Sequence, residues 1–212
     1  MIKNNIKICG IKEKAILDCC IKNNVKYFGL VFYKKSPRFI SFENALELIN
    51  YANNKKIEPV GVFVNEPIDE LKKIIKKTSL KYIQLHGSED DNYMKILKND
   101  HGSTIIKSIG INNKGDLKKI NKIKLADYYL FDYKPKFNEL PGGNAKKFDW
   151  SILKNYISNK PWFISGGVNI NNIKKILNNL IPYGIDISSG VEEKKGIKSC
   201  NKINQLMKKI NE

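Results

Sequence analysis

The sequence predicts an α/β fold, a (β/α)8 barrel, on three observations. Short apolar runs alternate with amphipathic helical ones from end to end, this unit recurs eight times, and polar residues gather where the apolar runs stop. The 212 residues shared among eight units give about 26 each, short for a fold that usually takes ~250. Strands are expected over Ile6–Cys9, Tyr27–Phe32, Pro59–Val64, Tyr82–His86, Ile105–Ile109, Tyr128–Asp132, Trp162–Ser165 and Ile185–Ser188. Several are apolar throughout, as parallel strands covered on both faces must be.

The helices between them show as stripes of apolar residues. They are Ala45, Leu46, Leu48 and Ile49; Leu71, Ile74 and Ile75; Met94, Ile96 and Leu97; Leu117 and Ile120; and Ile173, Ile176 and Leu177. Ser41 is an N-cap candidate before Phe42-Glu43-Asn44, Pro67 suits a first helical turn, and Asn169 is a cap candidate for the helix after the seventh strand. No linker rich in Gly, Pro or Ser interrupts the pattern, so residues 1–212 are expected to form one domain. An open, doubly wound sheet uses similar units; the chemistry at the strand ends decides against it.

Composition excludes several classes. The net charge of +17 suggests nucleic acid. However, 37 of the 38 basic residues are lysine and only Arg38 is arginine, while Ile (32) and Asn (26) are also abundant. These are residues that A+T-rich codons favour, and the lysines form no dense block. Base readout leans on the planar guanidinium, so no nucleic-acid partner is expected. No run approaches the ~18 apolar residues of a membrane helix, and the first residues show no apolar signal core. A cytoplasmic location without membrane association is expected. Cys9, Cys19, Cys20 and Cys200 include no C-x-x-C pair, and His86 and His101 are the only histidines. No metal site is therefore expected. In a reducing compartment the four cysteines are expected as free thiols, Cys19 and Cys20 packing mid-helix. His101 reads as part of a polar turn.

In this fold the active site lies at the C-terminal ends of the strands. The polar residues there are Cys9-Gly10, Gln84 with His86-Gly87, Asp132, Ser165-Gly166-Gly167, and Asp186 with Ser188-Ser189-Gly190. Loops after strands seven and eight are the habitual phosphate site of such barrels. Gly166 and Gly167, with Ser188, Ser189 and Gly190, are the candidate phosphate-binding residues. Strand alternation sets Lys7 on the face of Cys9 and Gln84 on that of His86. Arg38, the lone arginine, suits bidentate binding of a carboxylate from the loop after the second strand.

These residues fall in runs that resemble one family. Lys7-Ile8-Cys9-Gly10, Ser36-Pro37-Arg38, Val60-Gly61-Val62-Phe63, Gln84-Leu85-His86-Gly87, Phe148-Asp149-Trp150, Ser165-Gly166-Gly167 and Asp186-Ile187-Ser188-Ser189-Gly190-Val191-Glu192 resemble phosphoribosylanthranilate isomerase, in order and from end to end. The resemblance implies an Amadori rearrangement in tryptophan biosynthesis, an aminoaldose becoming a ketose without cofactor or metal. It makes Cys9 the general base and Asp132 the general acid. It also turns Arg38 toward the anthranilate carboxylate; strand alternation sets Gln84 and His86 to line the pocket, Lys7 shares the face of Cys9, and Asp186 ends a strand inside the site where it can bind the substrate.

That chemistry sets conditions. A thiol titrates near ~8.5, so a base at Cys9 calls for a lowered pKa, which Lys7 is placed to supply. Asp132 must carry a proton, a state that burial or a nearby anion favours. The run Gly142-Gly143-Asn144-Ala145-Lys146 departs from the family's Gly-Gly-(Thr/Ser)-Gly-Lys, and Ala145 would be strained wherever φ > 0 is needed. The alternative enzyme is another phosphate-binding barrel, an indole-glycerol-phosphate synthase or a ribulose-phosphate epimerase. A non-enzymatic alternative is a basic nucleic-acid-binding protein. The sequence fits a monomer or a homodimer equally.

Overall fold

The structure, a computed structural model, describes residues 5–136 and 147–212. Eight parallel strands close on themselves in sequence order: β1 (Ile6–Cys9), β2 (Tyr27–Val31), β3 (Glu58–Phe63), β4 (Tyr82–Leu85), β5 (Thr104–Ile111), β6 (Tyr128–Tyr133), β7 (Trp162–Ile164) and β8 (Gly184–Ile187). The ring is completed where β1 pairs with both β2 and β8, Lys7 standing in register with Tyr27 on one side and Asp186 on the other. The fold is thus the predicted (β/α)8 barrel. Every predicted strand is present, its ends displaced by two residues at most.

Around the ring lie α1 (Lys14–Lys22), α2 (Phe42–Ala52), α3 (Ile68–Thr78), α4 (Asp91–His101), α5 (Ile173–Asn179) and α6 (Cys200–Asn211). Ser41 caps α2 by accepting from the Asn44 N–H, and Pro67 sits at the cap position of α3. Between β5 and β6 the Leu117–Ile120 pattern forms a 3-10 helix, Lys114–Lys122, and not an α-helix. Asp116 fixes its first turn by accepting from the Asn112 and Asn113 N–H groups. Asn169 does not cap α5. It accepts from the Asn171 N–H in a turn of its own, and the helix starts at Ile173 behind Asn172. His101 is the last residue of α4, before a left-handed Gly102, and not part of a polar turn. Among the described residues no helix is long and apolar enough to cross a membrane.

Alternation divides each strand between helix-facing and barrel-facing residues. The inner floor is Tyr27, Val60, Ile106, Leu130 and Phe163, with Tyr82, Tyr128 and Tyr183 packed against it. Its rings meet edge-on or tilted, as Tyr27 with Tyr82 at 5.4 Å and Phe163 with Tyr183 at 5.4 Å. Buried hydroxyls need partners: Tyr27 Oη and Tyr183 Oη are 3.2 Å apart, and Lys26 Nζ donates to Tyr183 Oη at 3.4 Å. Sealed below, the barrel opens above toward the residues that follow the strands.

The free-thiol expectation fails for two of the four cysteines. Closing the ring packs the first helix beside the last, which brings Cys19 of α1 and Cys200 of α6 to a Cα separation of 5.8 Å, joined by a disulfide across 181 residues. Nothing in the local spacing around either cysteine signals a partner so far along the chain. Cys20 is a buried packing residue, as expected, and Cys9 is the other free cysteine.

Candidate active site

Three clusters of polar side chains ring the C-terminal mouth of the barrel. The first is on β1 and β8. Lys7 Nζ donates to Asp186 Oδ1 at 2.9 Å, and both residues are buried. Cys9, two residues on, shares their face and is 8% exposed. A Cβ on the neighbouring Gly29 would lie 2.7 Å from Cys9 Sγ, so β2 leaves out a side chain there to admit the thiol. Burial disfavours the charged form of Lys7, but Asp186 and Cys9 more than offset this and raise its pKa. For Cys9 the balance falls the other way. Burial pushes its thiol up, against the pull of Lys7 and Lys198. The lysine is therefore where the sequence expects it, but in the ligand-free protein it does not lower the thiol below its ordinary value.

The second cluster spans β4, β5 and β6. The Gln84 side-chain amide hydrogen-bonds to His86 Nδ1 at 2.8 Å and orients the imidazole. Nε2 is 3.4 Å from Asp132 Oδ2 and 3.4 Å from Ser108 Oγ. Asp132 is itself held by the Tyr133 N–H on Oδ1 at 2.7 Å. Below the His86 turn, buried Lys107 pairs with Glu89 at 3.0 Å and donates to the Gly87 carbonyl, while Glu89 accepts from Gly87 N. This ion pair fixes the backbone that aims the imidazole.

The third cluster sits beyond β8, where the chain turns into a hairpin of β9 (Glu192–Lys194) and β10 (Ile197–Lys198). Arg38 is 5% exposed and grips Glu192 with Nε on Oε1 at 2.7 Å and Nη2 on Oε2 at 2.8 Å. The carboxylate that this fork meets is Glu192 of the protein itself, and not the ligand carboxylate that the sequence suggests. Lys198 shares Oε1 at 2.7 Å. Burial disfavours the charged form of Glu192, yet these two cations hold its carboxyl down at about 2. Burial also pulls the Lys198 ammonium below its ordinary value, with Glu192 opposing.

The two candidate phosphate loops come together. Gly166 and Gly167 both have left-handed φ (81° and 72°). At Gly190 a Cβ would stand 1.9 Å from the Val168 carbonyl oxygen, so only glycine lets the loop after β8 touch the loop after β7. Ser188 Oγ donates to the Cys9 carbonyl at 3.0 Å and ties this loop to β1. Phe148, Asp149 and Trp150 enter a short 3-10 helix capped by Asp149. The departure at Gly142–Lys146 lies outside the described residues.

The sequence does not point to Ser108 or Lys198, nor to the pairing of Glu192 with Arg38, which the structure places at this mouth. For Ser108 the available signal is its inward place two residues before Gly110. Lys198 was one lysine among 37 and carried no distinguishing signal.

The fold is thus a (β/α)8 barrel whose strand ends gather a thiol, an imidazole-backed carboxylate and paired glycine loops at one mouth. Residues 6–209 match the family model described as N-(5'phosphoribosyl)anthranilate (PRA) isomerase, and the chain belongs to that family. It is 37% identical to the N-(5'-phosphoribosyl)anthranilate isomerase of Rhizobium etli (strain CIAT 652), over 97% of this chain and 93% of the relative. It is 38% identical to that of Thermoanaerobacter sp. (strain X514), over 97% of each. Among solved structures, the phosphoribosyl anthranilate isomerase of Thermotoga maritima superposes with a TM-score of 0.87 at 29% identity, covering 98% of both chains. One in complex with reduced 1-(o-carboxyphenylamino)-1-deoxyribulose 5-phosphate gives 0.85 at 27%, again over 98% of both.

Proposed function

We propose that the chain converts N-(5-phosphoribosyl)anthranilate to 1-(2-carboxyphenylamino)-1-deoxyribulose 5-phosphate in tryptophan biosynthesis. This makes it an intramolecular oxidoreductase acting without cofactor or metal. Family membership supports the reaction, and the solved relative holding a reduced product analogue supports the substrate class. The observation that carries the residue assignment is the pairing of His86 Nε2 with Asp132 Oδ2, on strands across the ring from Cys9.

In this reading Asp132 gives a proton to the furanose ring oxygen as its bond to C1 breaks, and the anilino nitrogen's lone pair forms the iminium. Cys9, as thiolate, then takes the proton from C2. The C–H electrons become the C1–C2 double bond of an enolamine, which tautomerises to the ketose. Burial works against that thiolate in the free protein, so forming it requires Cys9 to release its own proton to solvent before it takes the one from C2. Arg38, oriented by Glu192, meets the anthranilate carboxylate. Lys7, Gln84, His86 and Asp186 line the sugar, and the Gly166-Gly167 and Ser188-Ser189-Gly190 loops take the phosphate.

We further propose one domain, a cytoplasmic location, and a monomer or homodimer. A Thermotoga maritima relative is described as dimeric, and its mutually generated monomers keep this fold with a TM-score of 0.84. Loss of phosphoribosylanthranilate fluorescence tests the function. Wild type should turn over, while Cys9→Ser and Asp132→Asn should each lower kcat by about 10³-fold or more. Full activity in both variants would refute the assignment.

A further inference from the structure

Lys198 lies outside the strands of the barrel, yet it is buried at the mouth and all three of its ammonium protons are engaged. Nζ donates to the Ser188 carbonyl at 3.1 Å, to Ser188 Oγ at 3.1 Å and to Glu192 Oε1 at 2.7 Å. Two of these acceptors lead to residues of the proposed chemistry. Ser188 Oγ in turn donates a hydrogen bond to the Cys9 carbonyl at 3.0 Å, and Glu192 accepts from both the Nε and the Nη2 of Arg38. The hairpin that carries Lys198 is clamped in turn. Gly196 N donates to Glu192 Oε2 at 3.1 Å, Lys202 Nζ donates to the Glu192 carbonyl at 2.6 Å, and Gly196 packs against the Pro37 carbonyl beside Arg38.

We infer that Lys198 is a positioning residue for the reaction: from the closing hairpin it fixes the β1 terminus at Cys9 and the guanidinium of Arg38 at once. The inference rests on the proposed isomerase reading and extends it to a residue that would touch no substrate atom. Its physical basis is charge as well as geometry. The charged groups that act on Cys9 are Lys7 from β1, Asp186 from β8 and Lys198 from β10; the two cations favour the thiolate, and Asp186 and burial oppose it. Lysine suits the position because three rotatable donors on one nitrogen reach three acceptors that a planar fork would not. A buried pair so bonded is costly to break from one side.

The test reads Cys9 without turnover. Iodoacetamide alkylation of the Cys9 peptide, followed by mass spectrometry across pH in the substrate-free protein, gives the thiol midpoint. Cys20, pushed up to about 12 by burial, does not interfere, since Lys12 and Lys14 separate it from Cys9 and trypsin puts the two thiols on different peptides. In Lys198→Met the Cys9 midpoint should rise by about one pH unit. KM for phosphoribosylanthranilate should rise about 5-fold or more as Arg38 loses its anchor. Lys198→Gln, which keeps hydrogen-bonding capacity but not the charge, should show the same midpoint shift with a smaller change in KM. An unchanged midpoint in either folded variant would overturn the proposal. So would loss of the fold in both, since Lys198 would then be structural only. If wild type does not isomerise the substrate while the midpoint still moves, the reading of the substrate fails and the charge relation between Lys198 and Cys9 stands.

Discussion

Following β4, β6 and β7 inward and upward, each strand begins on an aromatic ring and ends on a polar group: Tyr82 to Gln84 and His86, Tyr128 through Leu130 to Asp132, Phe163 to Ser165. The two ends of the barrel are thus made of opposite materials, although the same strands supply both. At the floor, burial removes ring surface from water and each buried aromatic contributes about 1.5–3 kcal/mol. At the mouth, Lys7, Lys198, Asp186 and Glu192 have given up hydration, and their pairings return little net stability against an apolar alternative. The floor therefore holds the barrel closed, while the mouth is free to carry groups chosen for reactivity.

The sharpest way to break that division is at the floor. Phe163 is 1% exposed and touches Tyr27, Tyr128 and Tyr183. Phe163→Ala should cost about 3–5 kcal/mol in urea unfolding, the usual toll of emptying an aromatic core site. The kcat/KM of the folded fraction should stay within about two-fold of wild type, since lost stability and lost transition-state binding are separate quantities. A loss of kcat/KM at temperatures where the variant is fully folded would show that the floor sets the geometry of the mouth.

The seam between the first and last helices belongs to neither end. The Cys19–Cys200 bond closes a loop of 181 residues, and such a cross-link stabilises chiefly by restricting the unfolded chain. Cys200→Ser should lower stability by about 2–4 kcal/mol under non-reducing conditions. In dithiothreitol the variant and wild type should unfold together, with kcat unaffected throughout. A variant as stable as wild type without reductant would mean that the bond contributes nothing to holding the ring shut.

This seam also shows what a sequence conceals. The barrel was legible because periodicity is local: each strand and its helix announce themselves within about 26 residues. Cys9, Asp132, Gln84 and His86 were legible because strand ends in this fold form one mouth wherever they fall in the chain. What escaped depended on contacts across the ring or on competition between terms. Cys19 and Cys200 meet only after closure. Lys198 matters by burial, which no spacing reports in so lysine-rich a chain. Lys7 was rightly placed beside Cys9, but whether its charge outweighs desolvation of the thiol is a question of depth, and burial wins.

The smallest expected effect is also the most discriminating test of the mouth. Arg38→Lys keeps the positive charge and removes the fork. Lysine can meet one oxygen of Glu192 but not both, so the cation at this position loses its fixed orientation. If Arg38 orients the anthranilate carboxylate, KM should rise about 10-fold, near 1.4 kcal/mol of binding, while kcat falls less, because the aryl group lies away from the bonds that change. Thermal stability should move little, since Lys198 still compensates Glu192. Steady-state kinetics beside a melting curve separates the outcomes. An unchanged KM would remove Arg38 from substrate recognition and leave it a strut of the hairpin. A large fall in stability with KM preserved would do the same, and would move the boundary between the structural and reactive ends of the barrel up to the mouth itself.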